Sequence, residues 1–438
     1  MIVRYKKGNK IYNFYEPKRN NHQNIYTVIV GKNGSGKSRL LNEVIEYFRL
    51  ERDLFNTNDL EFLSIPKKII AVSTSPYDKF PIINDQRKYD YEYKNYSYVG
   101  IRDLKTSNFS LGFMSKIINQ LLNIRNNDSK QFSKIIQVLN YLEYSEDIHL
   151  VFEIRLLNNQ IKRLFEADVL EHEFMEILSK TGFYKPNFSF FKDAESDELN
   201  KVRIDKLLKI LHSYNFGGRK RIYEAVVNSS STDSEIEIND LIFLMDSGLA
   251  KLRDVGLKKL KSNKIHQISD ASSGQQCIFT TLVGIACNIS DNSLILIDEP
   301  EISLHPEWQE KYITLLIETF QNYKNCHFII ATHSPQLISK LSTENCYILQ
   351  MDNQELMNAN EYANNSIDFQ LANIFNSPGF KNEYLSRISF SIISKVGKTK
   401  KFDEEDVKNY NVLKSQIKFL HKNDPIISLF NLIKELKK

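Results

Sequence analysis

The chain has 438 residues, of which 42% are hydrophobic and 26% charged, with a formal net charge of +4 at pH 7. That apolar fraction is enough to fill a sizeable core, which excludes a wholly disordered chain, and the length predicts two or three lobes. The charge excess is small for this size and neither demands nor excludes a nucleic-acid partner.

In chain order, Ile2-Val3-Arg4-Tyr5 and Lys10-Ile11-Tyr12-Asn13-Phe14-Tyr15 flank Gly8-Asn9, a pattern that predicts a hairpin. Residues 24–30 form a β-branched run that ends in Gly31, and a helix is expected from Lys37 to about Leu50. A second strand is expected at 68–72, followed by Ser73-Thr74-Ser75-Pro76-Tyr77-Asp78-Lys79-Phe80. From 108 to 265 the pattern reads as helical, with apolar residues three and four apart in 111–124, 132–142 and 156–165. No heptad persists long enough for a long coiled coil. Strands resume at 293–297 and 326–331 as continuous apolar runs, the pattern of parallel strands buried on both faces. One more strand is expected at 346–350. The expected organisation is therefore an α/β head split into 1–107 and 245–350, a helical lobe inserted at 108–244, and a helical C-terminal region at 351–438. In that last region Leu429, Phe430, Leu432, Ile433 and Leu436 make an apolar stripe that either covers the head or docks a partner.

Four segments bear on chemistry. Gly31-Lys32-Asn33-Gly34-Ser35-Gly36-Lys37-Ser38 fits G-x-x-x-x-G-K-S between an apolar strand and a helix. Glycines at Gly31, Gly34 and Gly36 let the backbone N–H groups of Asn33 to Lys37 face phosphates, and the helix N-terminus adds positive potential. Lys37 is expected on the β- and γ-phosphates and Ser38 on Mg²⁺. Leu294-Ile295-Leu296-Ile297-Asp298-Glu299-Pro300 is an apolar strand ending in two acids, Asp298 for Mg²⁺ and Glu299 as general base towards water. Phe328 to Ala331 is a further buried strand leading to Thr332-His333-Ser334, which points His333 at the same phosphate. The segment Ser272-Ser273-Gly274-Gln275 precedes an apolar helix; on its own it reads equally as a helix cap or as an anion-binding N-terminus.

In chain order (Gly31–Ser38, Ser272–Gln275, the acids at Asp298 and Glu299, then Thr332–Ser334) the segments resemble the P-loop ABC-type ATPase heads of the SMC, Rad50 and OLD group, over roughly residues 1–100 and 245–350. The resemblance implies ATP and Mg²⁺ as ligands and a head-to-tail homodimer, open to higher assembly. In it, Ser272, Ser273, Gly274 and Gln275 complete the γ-phosphate site of the other subunit. Glu301 to Pro306 then corresponds to the loop crossing the dimer interface. The family's lid-loop glutamine has no clear counterpart; Gln86 is the candidate. Residues 71–80, Asp368-Phe369-Gln370-Leu371 and Ser377-Pro378-Gly379-Phe380-Lys381-Asn382-Glu383-Tyr384-Leu385 further resemble anti-phage defence ATPases, including the Septu-type ATPase found alone or with retrons. Such ATPases work beside a separate effector nuclease, often of HNH type.

No D-x-D pair follows His333 and the nine histidines are scattered, so nuclease chemistry is expected from a partner chain. Arg219-Lys220-Arg221 and Lys258-Lys259-Leu260-Lys261 read equally as DNA or RNA contacts and as solvated faces. Two rival functions stay open: a repair or recombination ATPase that clamps DNA directly, and an ATP-bound scaffold with little turnover. Cys277, Cys287, Cys326 and Cys346 form no C-x-x-C pair, the first ten residues lack an apolar core, and no run approaches the ~18 apolar residues of a membrane span. A cytoplasmic protein without membrane contact is expected.

Overall fold

The computed structural model describes residues 1–17, 23–49, 59–82, 95–102, 104, 109–167, 170–180, 188–193, 198–214, 216, 221–261, 264–341 and 345–437. The chain forms two compact units, one of Met1–Ala71, Asp78–Phe80 and Ser290–Lys438, the other of Val72–Tyr77 and Pro81–Ile289.

The first unit is α/β. Its main sheet runs in the order Glu355–Asn358, Cys346–Gln350, Ile25–Val30, His327–Thr332, Ser293–Asp298 and Lys68–Ser73. The three strands at Ile25–Val30, Ser293–Asp298 and His327–Thr332 are buried at every position, as their unbroken apolar runs require. Pairing of Cys346–Gln350, Ile25–Val30, His327–Thr332 and Ser293–Asp298 is parallel, and the register sets Val30 beside both Thr332 and Gln350 and Asp298 beside Ala331. Every residue just past these strand ends therefore emerges at one edge of the sheet: Gly31, Glu299, His333 and Met351. The expected hairpin is present as Ile2–Lys7 and Lys10–Asn13, turned by Gly8 at φ +57°, with Leu60–Phe62 completing a small antiparallel sheet.

His327 ties the two sheets together. It is fully buried; the Ile2 N–H donates to its Nδ1 (3.3 Å). Its Nε2 lies 3.0 Å from the Thr27 hydroxyl, whose own proton goes to the Phe14 carbonyl at 2.7 Å. The imidazole must then carry its one proton on Nε2 and stay neutral. Burial drives its pKa well below the usual histidine value. The unfolded chain binds a proton here that the native state refuses, so stability should be lost as pH falls below about 6.5, by up to about 1.4 kcal/mol per pH unit. Urea unfolding at pH 7 and pH 5 should show this loss, and the slope should shrink in His327→Leu. An equal slope in that variant would assign the acid sensitivity elsewhere.

The expected helical region of 351–438 opens instead on the sheet strand Glu355–Asn358, and its helices lie at Ile367–Asn373, Glu383–Thr399, Glu404–Gln416 and Pro425–Leu436. Leu385, Ile388, Ile392, Leu413, Phe430 and Ile433 form their own core. The stripe is thus largely spent on packing, although Leu432 remains 44% exposed.

The second unit corrects the helical reading of 108–244. The helices Phe109–Asn127, Ser129–Tyr141 and Asn158–Glu166 are there. So is a five-stranded antiparallel sheet, in the order Ile265–Gln267, Ala250–Lys259, Tyr144–Ile154, Ile222–Val227 and Thr232–Ser234. The strand Tyr144–Ile154 buries Ile148, Leu150, Phe152 and Ile154 on one face, a period of two between stretches of helical period. The boundary expected at 245 also differs: this unit continues through the helix Ser273–Asn288 to Ile289.

Candidate active site

The site is built at the edge of the parallel sheet. Gly34 and Gly36 have φ of +78° and +99°, which side chains bearing a Cβ rarely adopt. A Cβ on Gly31 would stand 2.7 Å from Ser35 Oγ and 3.0 Å from Met351 Cβ, so the loop closes only with glycine there. Ser35 Oγ is buried with no hydrogen-bond partner among the described residues, an acceptor-seeking group inside the loop. The helix Lys37–Arg49 starts directly behind it.

Lys37 is 4% exposed; its ammonium donates to the Gly31 carbonyl at 3.1 Å and packs against the His333 ring, 3.3 Å from Nδ1 and in contact with Nε2. Burial lowers its pKa, while the carboxylates of Glu299, Glu301, Asp298 and Asp352 hold it up. The Ser38 hydroxyl donates to Asp298 Oδ1 at 3.0 Å. Burial pushes Asp298 up to about 7, against the pull of the Ser38 hydrogen bond; the charges of Glu299 and Asp78 add to the rise and Lys37 opposes it.

Glu299 sits in the left-handed region at φ 48°, ψ 56°, directly before Pro300. Such backbone strain is held only where the surroundings fix it. Here the Glu299 N–H donates to the Ala331 carbonyl at 2.9 Å. Its Oε1 lies 3.5 Å from His333 Nε2. His333 also has a lowered pKa, from burial first and the Lys37 charge second, with Glu299 opposing, so its ring is neutral at physiological pH. From the other side, the His333 backbone N–H donates to Glu301 Oε1 at 2.6 Å. Burial raises the Glu301 carboxyl as well.

Lys37, Ser38, Glu299 and His333 border a cavity of about 1160 Å³ reaching from Asn33–Ser38 to the hairpin residues Lys7, Lys10 and Tyr12. A separate cavity of about 560 Å³ lies at the opposite edge of the sheet, beside Asn24, Asn325 and Asn345, and holds none of the motif residues. The main cavity fits a nucleotide with its divalent cation. Backbone amides and four lysines, Lys7, Lys10, Lys37 and Lys79, line it, and Ser38 with Asp298 offers hard oxygen donors. Among the described residues no group of three or more His, Cys, Asp or Glu forms a metal cage, so a cation here would take its remaining ligands from phosphate and water.

The structure thus gathers Gly31, Asn33, Gly34, Ser35, Gly36, Lys37, Ser38, Asp298, Glu299 and His333 in one place. Ser272, Ser273, Gly274 and Gln275 belong to the second unit. Ser272 Oγ accepts from the Gln275 N–H at 3.3 Å and the Gln275 side chain accepts from the Ser272 N–H at 3.0 Å, a capping box that leaves Ser273 exposed at the helix N-terminus. Gln86, Arg219 and Lys220 lie outside the described residues. Sequence reasoning passed over Lys79, Gln309 and the contact of Glu301 with His333. The only available signal for Lys79 was its place in a polar turn after a buried strand.

Comparison with known proteins finds relatives over much of the chain. Over 377 residues the chain is 23% identical to Endonuclease GajA of Bacillus cereus (strain HuB5-5), covering 73% of this chain and 53% of that protein. It is 21% identical over 365 residues to the Retron Vc95 probable ATPase of Vibrio cholerae serotype O1 biovar El Tor, covering 74% and 68%. It is also 31% identical over 101 residues to the Retron Ec83 probable ATPase of Escherichia coli, covering 20% and 18%. The chain spans about half the length of the endonuclease it matches. Among the described residues no helix is long and apolar enough to cross a membrane. The family described as "AAA domain, putative AbiEii toxin, Type IV TA system" matches residues 26–339, from the strand before the phosphate loop to beyond His333. With that match over well more than half its length, the chain belongs to the AAA_21 family of ABC-type ATPases.

Proposed function

We propose that the chain binds Mg-ATP in the 1160 Å³ cavity, hydrolyses it as a head-to-tail homodimer, and uses that cycle to gate a separate effector nuclease in an anti-phage defence assembly. The observation carrying this reading is the convergence of Lys37, Ser38, Asp298, Glu299 and His333 at one sheet edge. The loop amides and Lys37 bind the phosphates. Ser38 and Asp298 would hold the divalent cation that accompanies the nucleotide, and that cation would supply charge neutralisation at the phosphates. Glu299 takes a proton from the attacking water as its oxygen bonds to the γ-phosphorus and the bond to the β–γ bridging oxygen breaks, leaving ADP and phosphate. His333, neutral, orients the water and the γ-phosphate. Kinship with two retron ATPases and with an endonuclease supports a place beside a nuclease. The partner would be identified by mass spectrometry of natively purified protein, and nuclease activity intrinsic to the purified chain would overturn that part of the proposal.

The dimer supplies the signature in trans. Ser273 stands exposed at a helix N-terminus, an anion-receptive end, while the phosphate loop belongs to the other compact unit. Ser273→Arg should block hydrolysis and leave ATP binding nearly intact. Mixing it with Lys37→Ala places both lesions in one site of a mixed dimer and neither in the other, so activity should partly recover once subunit exchange is verified. A crosslink from Ser273 to nucleotide within a single subunit would sink the composite site.

A further inference from the structure

Glu301 is a half-buried acid that the reaction above does not use. It lies in the short 3-10 turn Pro300–Ser303 after the acidic pair, between the site and the helix Pro306–Phe320. One carboxylate oxygen accepts the His333 backbone N–H at 2.6 Å. The Thr332 hydroxyl and the backbone N–H of Glu301 itself also act on this carboxylate. A second clamp runs in parallel. Gln309 donates through Nε2 to the Leu304 carbonyl at 2.9 Å, and its Oε1 accepts from the Ser334 hydroxyl at 2.6 Å. The Ser334 N–H in turn donates to Thr332 Oγ1 at 2.9 Å. The turn 332–334 is thus pinned at two successive residues to the loop 301–304.

We infer that Glu301 is a positioning residue: by holding the His333 backbone it fixes where the imidazole stands between Lys37 and Glu299, and it couples any shift of the loop 301–304 to that histidine. The inference rests on the reading of His333 as part of the hydrolytic site. A hydrogen bond to backbone N–H acts on geometry, so its loss should appear in turnover and spare the phosphate contacts made by the loop amides and Lys37. Misplacing a reacting group by about 1 Å costs on the order of a hundredfold.

The test uses the full chain. Glu301→Ala and Glu301→Met remove the acceptor, the second while keeping the volume filled. Both should lower kcat for ATP by about ten- to a hundredfold. KM, and the affinity for a fluorescent ATP analogue measured by titration, should stay within about threefold of the parent, which also reports folding. Glu301→Gln keeps an acceptor oxygen and should restore most of the lost turnover. Because Glu301 acts through His333, adding His333→Ala to Glu301→Ala should lower kcat little beyond His333→Ala alone. Fully additive losses would make Glu301 independent of His333 and overturn the inference. So would unchanged turnover in both Glu301→Ala and Glu301→Met while His333→Ala is impaired. If His333→Ala itself turns over normally, the role given to His333 fails first, and the inference falls with it for a distinguishable reason.

Discussion

Glu299→Gln should slow ATP hydrolysis by about a hundred- to ten-thousandfold, the range of a lost general base, while ATP stays bound. The substitution removes one charge and keeps the shape. Glu299 raises the proton affinity of Asp298, so its neutralisation leaves Asp298 more fully ionised and its cation contact no weaker. It also raises the pKa of Lys37, which remains surrounded by Glu301, Asp298 and Asp352 and so keeps its proton. Binding is thereby preserved on both counts, and only proton abstraction from water is lost. With turnover stopped and nucleotide retained, ATP-closed dimers should accumulate on size-exclusion chromatography. A parent-like turnover rate in this variant would remove Glu299 from the chemistry.

Lys37→Ala should weaken ATP binding by about a hundredfold or more, because a buried ammonium donates charge-assisted hydrogen bonds that no neighbour can replace. Lys79 and the hairpin lysines line the cavity but do not stand inside the loop. The variant also removes the positive charge that helps depress His333, so the imidazole pKa should rise, a shift that proton NMR titration of the ring would read. Folding should survive, since the buried cation pays desolvation in the native state and alanine does not. Calorimetry returning parent affinity would reject the assignment of phosphate binding to Lys37.

Much of this site was legible before any coordinates. Lys37 and Ser38 follow a strand and open a helix, and that local frame alone directs backbone amides and a lysine to one point. Asp298 and Glu299 end an unbroken apolar run, and such a run can only be a strand covered on both faces, with its polar end at the crevice. The antiparallel sheet of the second unit was not legible. Its alternation at Ile148, Leu150, Phe152 and Ile154 is brief, and its partners Val227, Tyr223, Leu252 and Leu257 come from distant parts of the chain.

What the sequence by itself determined was therefore the set of local frames: the glycine loop, the strand ends, the helix cap at Ser272 and the identity of the acids. Each depends on dihedral preferences and polarity within a few neighbouring residues. Only the tertiary structure decided that His333 stands between Glu299 and Lys37 with its backbone held by Glu301. That arrangement follows from the parallel register setting Val30 beside Thr332 and Asp298 beside Ala331, a choice made by core packing between strands far apart in the chain.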